Sequence, residues 1–532
     1  MMVQTLLLVA VAIIACILCN KITSKVGIPM LLAFLAVGIL CGTNGILKID
    51  FNNYNLTENI CTAALIFIIF YGGFGTKWSA AKPVALKASL LSTVGVFLTA
   101  LAVGVFCHFI LSISWLESLL IGSVLGSTDA ASVFSILRSK SLNLKYGTAS
   151  LLEVESGSND PIAYLMTTII LTMLTSKIST GQVIYQIFAQ IVYGLGIGII
   201  IAIAVVHFLK RFQFDTSGFD MVFMIAVSIL SYVLPTIVGG NGYLSAYIAG
   251  IIIGNSDIPN KKNQVHFFDG ITSLMQLIVF FILGLLCTPS KIPSVIIPAL
   301  LIAIFLTFIA RPIVVSVLLT PFKTKFVQQI LISWAGLRGA TSAVFAITAI
   351  ASTAVLKYDV FHIVFCIVLF SIALQGTLLP AVAKKLNMID MNENVMKTFN
   401  DYMEEDIMQL MHLKIHEGHP WIGTQIHNLT LPPDVRIAVI LRGNESVIPK
   451  GDTTIEENDV TVLSTMPCTH VKNIQLYELN INEKHKWNKK QIQNLSLTKN
   501  TSIIMIRRNS ETIIPQGNTI ILDGDTLVMC GK

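Results

Sequence analysis

Charged residues are scarce in this chain. Asp, Glu, Lys and Arg make up 12% of its 532 residues, whereas hydrophobic residues make up 54%, and the mean hydropathy is +0.74. A soluble globular protein carries roughly twice that charged fraction, about 25%. The composition therefore excludes a soluble fold for most of the chain and predicts that much of its surface faces lipid.

The cysteines provide neither a disulfide framework nor a metal-binding pattern. Nine cysteines are present, and most lie inside apolar runs at spacings unlike those of metal ligands. Only Cys468 and Cys530 lie in the polar C-terminal part of the chain. We expect the cysteines to be packing residues.

Long apolar runs dominate the sequence as far as residue 383. Each is about 20 residues long, which is enough to cross a hydrocarbon core of about 30 Å. No Lys or Arg precedes Lys21, so the first run lacks the basic start of a signal peptide and is expected to remain as a span. We predict thirteen spans, at 3–19, 27–46, 58–74, 83–112, 115–137, 147–176, 182–209, 219–238, 241–255, 268–288, 292–320, 326–353 and 358–383.

Basic residues alternate between the predicted loops. Sixteen Lys and Arg fall in loops on one side, and four fall on the other, namely Lys48, Lys177, Lys291 and Lys357. Cytoplasmic loops carry the excess of Lys and Arg. This asymmetry places the N-terminus outside the cell and the C-terminal tail in the cytoplasm.

The tail contains one module twice. The segment WIGTQIHNLTL at 421–431 matches WNKKQIQNLSL at 487–497 with a constant offset of 66 residues. The same offset aligns two polar pairs: Arg442 with Arg508, and Asp459 with Asp525. Each copy is predicted to form a short amphipathic helix, a strand rich in Ile and Val, a turn, a Pro-Gly loop and a final strand.

Both copies resemble the RCK C-terminal (TrkA-C) domain. The resemblance lies in ILRGNESVIPKGDTTIEENDVTV at 440–462 and IRRNSETIIPQGNTIILDGDTLV at 506–528. Such domains occur on potassium channels and cation antiporters and usually pair as dimers. The resemblance implies regulation by a small ligand, cyclic di-AMP being one that such domains bind. A scaffold that only joins two subunits is the alternative.

NAD is not expected as the regulator. The nucleotide-binding half that often accompanies these domains carries GxGxxG after a strand, and no such motif lies between 384 and 420. The predicted domains are a transmembrane domain at 1–385, a linker at 386–405 and two modules at 406–468 and 469–532.

Away from loops and helix ends, six ionisable residues lie inside the apolar runs. An ionisable group at mid-membrane costs at least about 2.5 kcal/mol, and it marks a functional site unless shown otherwise. The six are Asp129, Glu153, Glu155, Asp160, Arg311 and Arg338.

Three of these carboxylates belong to the segment LLEVESGSNDPIAYLMTTIILTM at 151–173. On a helix, Ser156 and Asp160 share one face, while Glu155 and Asn159 share the adjoining face. One carboxylate can then line a cavity while another faces a basic partner. Pro161 follows at once and removes a backbone donor, which weakens the helix beside its polar groups.

Two small-residue interruptions break the fifth and twelfth predicted spans. They are LIGSVLGSTDAASVFSIL at 120–137 and WAGLRGATSAVFAI at 334–347, in which ASVF and SAVF recur at an offset of 211. Unwound backbone at membrane depth is tolerated where it lines an ion site. The correspondence favours an inverted repeat of spans 1–6 and 8–13.

The motifs GSTDAASV, ESGSNDPIA, ARP and GLRGA, in this order across about thirteen spans, resemble the NhaP branch of the monovalent cation:proton antiporters, within the sodium/potassium:hydrogen exchanger family. The resemblance covers 1–385. It implies a polytopic α-helical membrane protein of about 13 spans with inverted repeats and discontinuous crossing helices. Here a cytoplasmic α+β tail of two RCK-C-like modules follows. It also implies a secondary active transporter, with no enzymatic activity, that forms a homodimer in the cell membrane.

The resemblance also assigns roles to residues of this chain. Asp160 would carry the cation and the proton, and further oxygen ligands would come from Asn159, Ser156, Asp129 and Thr128. Glu155 would form a structural ion pair with Arg338. No cofactor is expected, and no metal beyond the transported cation. The neutral Asn159, where other antiporters carry a second Asp, favours one-for-one exchange.

One departure and several alternatives stay open. Relatives carry an acidic residue after the third span, where this chain reads FYGGFGTKW. For Asp129 the alternative to binding the cation is to cap a half-helix. Glu153 is expected to be solvated near a helix end. Arg311 could pair with a carboxylate or with lipid headgroups. The tail histidines are expected at the solvated surface, a metal cluster being the alternative: His412, His416 and His419.

The function predicted from the sequence is potassium/proton antiport, since the tail resembles RCK domains. Sodium/proton antiport is the close alternative. A gated potassium channel would need a TVGYG-like filter, and TIVGGNGY at 236–243 lacks that frame. A sensor without transport activity is a third alternative, against which the intact polar set argues.

Overall fold

A computed structural model describes residues 10–390 and 409–531 of the chain. Short gaps lie at 12, 19–28, 44, 130–131, 134–135, 138–141, 177, 213, 215–217, 353, 433–434, 444, 466–474, 484, 496–500, 509–510 and 514. The chain forms two compact units, Met1–Tyr402 and Met403–Lys532. Much of the predicted first span at 3–19, and residues 391–405 of the predicted linker, lie outside the described residues.

The first unit is helical. Its helices are Met30–Cys41 (α1), Tyr54–Gly75 (α2), Ala85–Leu111 (α3), Trp115–Val124 (α4), Thr148–Thr175 (α5), Thr180–Arg211 (α6), Phe219–Ile237 (α7), Gly242–Gly254 (α8), Lys261–Leu286 (α9), Pro289–Phe322 (α10), Phe326–Trp334 (α11), Ala340–Ala351 (α12) and Val360–Lys385 (α13). A single helical turn at Trp78–Ala81 joins α2 to α3.

Seven helices among the described residues are long and apolar enough to cross a membrane: α2, α3, α6, α7, α9, α10 and α13. The apolar helices α1, α4, α8 and α12 have only 10 to 17 residues. Helix α5 has 28 residues and holds the polar segment identified in the sequence. The unit therefore combines long apolar helices, shorter apolar helices and one long helix with a polar segment.

Glycines allow the closest helix crossings. A Cβ on Gly38 of α1 would lie 2.2 Å from the carbonyl oxygen of Phe281 on α9. A Cβ on Gly284 of α9 would likewise lie 2.2 Å from the carbonyl oxygen of Leu35. Small residues let membrane helices approach backbone to backbone. Helices α1 and α9 thus pack backbone to backbone, because Gly38 and Gly284 have no side chain at the crossing.

Two of the helical paths are broken where the sequence predicts. Helix α4 ends at Val124, and 125–129 is not helical; α11 ends at Trp334, and 335–339 is not helical before α12 begins. The two breaks meet, because the backbone N–H of Asp129 donates to the carbonyl of Leu337 at 2.8 Å. Backbone groups freed from helices at membrane depth are partly satisfied by each other.

The described end of the first unit is a short strand. Ile389–Asp390 (β2) pairs antiparallel with Asn143–Leu144 (β1), which precedes α5. The first residues of the predicted linker therefore lie with the helical unit. Lys145 continues this contact by donating its backbone N–H to the carbonyl of Met388 at 2.9 Å.

The second unit contains two antiparallel sheets of the same topology. The first has strand order β3-β6-β4-β5, built from Gln409–Lys414 (β3), Val435–Arg442 (β4), Glu445–Val447 (β5) and Val460–Thr465 (β6). The second has order β7-β10-β8-β9, built from Gln475–Asn480 (β7), Thr501–Arg508 (β8), Glu511–Ile513 (β9) and Thr526–Gly531 (β10). The repeat predicted from the sequence is thus a repeat of structure.

The predicted short helix of each module is wrong. Where it was expected, the described residues form only a three-residue 3₁₀ turn, Ile426–Asn428 in one copy and Ile492–Asn494 in the other. The described part of the tail is therefore a β-structure, and the α+β prediction is corrected. The first strand of each sheet was not predicted, because β3 and β7 lie before the segment in which the copies match closely.

Candidate ion-binding site

Helix α5 carries a buried polar face in the middle of the helical unit. The exposed fraction of each side chain is at most 7%, for five residues: Glu153, Glu155, Ser156, Asn159 and Asp160. The expectation that Glu153 is solvated is therefore wrong, since it is 6% exposed. It was placed near a helix end, but α5 begins at Thr148, five residues earlier, and neighbouring helices cover this turn.

The carboxylate of Asp160 accepts hydrogen bonds from both broken helices. Ser127, in the first break, donates its hydroxyl to Oδ1. Thr341, in the first turn of α12, donates its hydroxyl to Oδ2 at 3.2 Å. Neither donor was predicted from the sequence to be part of the site. Their signal was present, as hydroxyl residues within the two small-residue interruptions, but only the fold shows that both face Asp160.

Two further residues of α5 hold the first break in place. Ser156 donates its hydroxyl to the carbonyl of Thr128, and Asn159 donates its amide to the Thr128 hydroxyl at 2.5 Å. The amide oxygen of Asn159 is buried and accepts no hydrogen bond from the residues that the structure describes. Thr128, Ser156 and Asn159 are thus brought together beside Asp160, as the sequence argument expected.

Asp129 has the geometry of a helix cap. Its carboxylate accepts the backbone N–H of Ser132 at 3.2 Å and the Ser132 hydroxyl, three residues onward. This is the pattern of an N-cap residue, and Ser132 is helical. The other break leaves room for this carboxylate, because a Cβ on Gly339 would lie 2.0 Å from Asp129 Oδ2. The geometry favours the capping alternative for Asp129.

The predicted ion pair between Glu155 and Arg338 is wrong in its partner. Glu155 pairs with Arg311 of α10, and the two side chains are 1% and 3% exposed. Arg311 reaches this position across Gly336 in the second break, where a Cβ would lie 2.9 Å from its Nε. Both Arg311 and Arg338 were possible partners for Glu155, and their positions in the sequence do not show which of them lies beside it.

Arg338 instead connects the two breaks. Its side chain is 1% exposed, and Nη1 donates to the carbonyl of Ser127 at 2.6 Å. Its backbone N–H donates to the Ser371 hydroxyl of α13 at 2.9 Å. A guanidinium has no acceptor and stays charged, so Arg338 places a positive charge at the crossing of the breaks.

The site therefore presents an ionisable carboxylate among hydroxyl, amide and carbonyl oxygens. Hard cations are bound by such oxygens, and a carboxylate can also take up a proton. Buried charge at the crossing of two broken helices, inside a bundle of apolar helices, is the arrangement of a secondary transporter for ions. The fold and the site thus define a membrane transporter of small cations.

Comparison with known proteins gives the family. The model of the sodium/hydrogen exchanger transmembrane domain matches residues 8–385, and that of the TrkA-C domain matches 410–465 and 476–532. The chain is 31% identical over 467 residues to a K(+)/H(+) antiporter NhaP of Alkalimonas amylolytica, covering 87% of this chain and 81% of the relative. It is 30% identical over 450 residues to a K(+)/H(+) antiporter NhaP2 of Shewanella baltica, covering 84% and 78%.

The chain belongs to the sodium/hydrogen exchanger family and is a monovalent cation:proton antiporter with a TrkA-C tail. It is a secondary transporter and not an enzyme. A solved sodium proton antiporter, MjNhaP1 of Methanocaldococcus jannaschii, has the same fold, with a TM-score of 0.64 at 23% identity. That likeness covers 72% of this chain and 99% of the solved chain. The family resemblance found in the sequence motifs is confirmed.

Proposed function

We propose that this antiporter exchanges potassium for protons across the cell membrane, with Asp160 as the shared binding group. The proposal rests on the environment of Asp160. Its buried carboxylate accepts hydrogen bonds from hydroxyl groups on both broken helices. Further ligands come from Thr128, Ser156 and Asn159. Asp129 orients the helix after the first break and is a weaker candidate for direct contact with the cation.

Proton and cation compete for one cluster of oxygens in this mechanism. An ionised carboxylate at membrane depth is costly, and either a proton or a monovalent cation neutralises it. If the bundle moves only after neutralisation, each crossing carries one ion or the other. Because Asn159 is neutral, the exchange is one proton for one cation. Glu155 stays neutralised by Arg311 and does not take part in the exchange.

Potassium is preferred to sodium on the strength of the relatives. Two relatives at 30% identity or more, those of Alkalimonas amylolytica and Shewanella baltica, are named K(+)/H(+) antiporters, and their matches extend beyond the membrane domain into the tail. The solved structure is named a sodium proton antiporter, so sodium/proton exchange is the second candidate. The oxygen ligands themselves suit either ion.

We infer thirteen membrane spans, with the N-terminus outside and the tail in the cytoplasm. Helices occupy the predicted ranges from 27–46 onward, and the alternation of Lys and Arg supports the orientation. The meeting of the two breaks supports an inverted repeat of spans 1–6 and 8–13. We also propose a homodimer, as the family resemblance implies, in which one helical bundle moves against another.

We propose a regulatory role for the tail. Its two sheets have the same strand order, and each matches the TrkA-C model. A small ligand such as cyclic di-AMP would bind there and change the rate of exchange. A scaffold that only joins two subunits is the second candidate for the tail.

Everted membrane vesicles test the proposed exchange. A proton gradient is established by respiration, and its dissipation is followed on addition of potassium, sodium or lithium salts separately. We expect potassium to dissipate the gradient at lower concentration than sodium or lithium. If sodium dissipates the gradient at the lowest concentration, sodium is the transported cation, and the proposed competition with protons at Asp160 is unchanged. Potassium flux without proton movement would contradict antiport and favour a channel.

A further inference from the structure

Tyr247 is a buried tyrosine on α8 whose hydroxyl the proposed exchange mechanism does not use. Its side chain is 3% exposed, and the hydroxyl makes no hydrogen bond to any residue that the structure describes. Leaving a buried hydroxyl unpaired costs about 1–3 kcal/mol. A phenylalanine would fill the same space without that cost, so the hydroxyl calls for an explanation.

The hydroxyl of Tyr247 lies directly against the polar segment of α5. A Cβ on Gly157 would lie 3.0 Å from the hydroxyl oxygen and 2.7 Å from Cε2 of the ring. No side chain at position 157 could coexist with this ring. The glycine in the motif ESGSND therefore provides the space in which the Tyr247 ring packs. The sequence alone did not indicate this contact.

This position places the hydroxyl between two carboxylates. On a helix, the residues four before and three after a given position are its neighbours on the same face, about 5–6 Å away between Cβ atoms. For Gly157 these neighbours are Glu153 and Asp160. Both carboxylates are close enough to act electrostatically on the Tyr247 hydroxyl.

The position of Tyr247 is fixed from its other side as well. Its backbone carbonyl would lie 2.3 Å from a Cβ on Gly73 of α2. The backbone of Tyr247 is thus packed against Gly73 of α2, and its ring is packed against Gly157 of α5. A side chain fixed in this way has little freedom to turn its hydroxyl away from the carboxylates.

We propose that Tyr247 is a further residue of the ion site: its hydroxyl makes no hydrogen bond to the described residues here, and when a cation binds at Asp160 it presents its oxygen to the cation and its proton to Glu153. A hydroxyl has one donor and two acceptor lone pairs, so it can serve both groups at once. This inference rests on the proposed exchange site at Asp160. It also gives Glu153, which was expected from the sequence to be solvated, the role of orienting that hydroxyl.

Other ionisable groups surround the site and bear on its pH dependence. Asp129 lies in the first break, and Arg338 lies at the crossing of the breaks. The buried pair of Glu155 and Arg311 lies on the adjoining face of α5. Changes at Tyr247 leave these groups in place, so their contributions to a pH profile stay constant in the test below.

The test compares Tyr247→Phe with Tyr71→Phe in the full-length protein. Tyr247→Phe keeps the ring over Gly157 and removes only the hydroxyl. Tyr71→Phe is the matched control, because Tyr71 is also buried but donates its hydroxyl to Asp269 at 3.3 Å, outside the ion site. Potassium-dependent dissipation of a proton gradient is measured in everted vesicles over a range of potassium concentrations and pH values.

We expect Tyr247→Phe to raise the half-saturating potassium concentration on the order of tenfold, the effect of losing one oxygen contact to a charged group. Because the cation then competes less well with the proton, the activity profile at fixed potassium moves to higher pH. Tyr71→Phe should leave both quantities as in the wild type. Equal changes in both variants, or none in Tyr247→Phe, would overturn the inference.

Glu153→Gln provides a second test, which decides if Tyr247→Phe does not accumulate. It leaves the ring intact and weakens the acceptor for the hydroxyl, so it should raise the half-saturating potassium concentration in the same direction. Wild-type values for Glu153→Gln would contradict the bridge. Asp160→Asn in the same vesicles separates the two proposals: if it still exchanges, the exchange site itself is wrong, whatever Tyr247→Phe does.

Discussion

At the scale of single residues, the two buried arginines have different partners, and the sequence alone could not assign those partners. Arg311 neutralises Glu155, whereas Arg338 donates to the backbone of the first break. Removing one partner of a buried ion pair costs more than the pair contributes, because the other charge is left uncompensated. The two arginines should therefore respond differently to substitution.

Arg311→Met should destabilise the folded protein by about 3–5 kcal/mol, because Glu155 is left buried and unpaired. The thermal stability of detergent-solubilised protein, followed by size-exclusion chromatography after heating, measures this loss. The double variant Glu155→Gln with Arg311→Met should regain much of it. A double variant as unstable as Arg311→Met alone would contradict the ion pair.

Much of the candidate site followed from residue types in apolar runs. Asp160, Ser156, Asn159 and Thr128 were named because polar groups at membrane depth are costly, and the structure brings them together. Tyr247 could not be named, because a tyrosine in an apolar run has the same pattern whether it packs or binds. Its role depends on a contact with α5 that no local pattern reports.

At the scale of elements, the helices and the breaks were predictable and their contacts were not. Apolar length located the helices, and the small residues at 122–129 and 335–339 located the breaks. The glycine crossings required the fold, since Gly38 and Gly284 are far apart in sequence. The tail strands were predicted where Ile and Val cluster. In the described part of the tail the predicted helices are 3₁₀ turns instead, because a short amphipathic pattern also suits a 3₁₀ turn.

Gly284→Ala should impair folding of the helical unit. Its Cβ would lie 2.2 Å from the carbonyl oxygen of Leu35, a backbone atom that cannot move aside cheaply. Gly270→Ala on the same helix is the control, because nothing lies within 4 Å of a Cβ there. The yield of monodisperse protein from membranes should fall for Gly284→Ala and hold for Gly270→Ala. Equal yields would contradict the close crossing of α1 and α9.

Each tail module contains an equivalent ion pair between an Arg and an Asp. Arg442 donates Nε and Nη2 to Asp459, both at 2.9 Å, and Arg508 donates the same atoms to Asp525 at 2.7 and 2.8 Å. Burial of Asp459 acts to raise its pKa, but the Arg442 guanidinium and the backbone N–H of Glu456 outweigh it and hold the pKa below its ordinary value. The repeated Arg and Asp of the sequence are therefore structural.

Asp459→Asn should lower the stability of the first module by about 2 kcal/mol at neutral pH, given the partial exposure of Arg442. Because the pKa of Asp459 is depressed in the folded state, its contribution is present above pH of about 4 and is lost as pH falls through the folded pKa. The urea dependence of tail proteolysis in the full-length protein measures this. A difference between variant and wild type that persists unchanged at acid pH would contradict the assignment.

At the scale of the whole molecule, the chain combines an exchanger with a duplicated TrkA-C domain. The membrane unit contains the proposed site in full, so exchange does not need a residue from the tail. The tail has two cores of its own, one in each sheet. This independence is what a regulatory attachment requires.

Deletion of 403–532 should leave exchange in place but change its dependence on pH or on added cyclic di-AMP. The comparison is made in everted vesicles with matched amounts of the full-length and shortened proteins. Identical activation curves would contradict regulation by the tail and favour the scaffold. Loss of the dimer on deletion, with unchanged curves, would support that second role directly.

The central claim is that Asp160 carries both the cation and the proton. Its most direct test is potassium-driven proton movement in proteoliposomes containing purified protein, with Asp160→Asn beside Asp269→Asn. Asn cannot take up and release a proton, whereas Asp269 lies on α9 outside the site and accepts the Tyr71 hydroxyl. We predict that Asp160→Asn is folded and inactive, while Asp269→Asn exchanges at the wild-type rate. Wild-type exchange by folded Asp160→Asn would contradict the account.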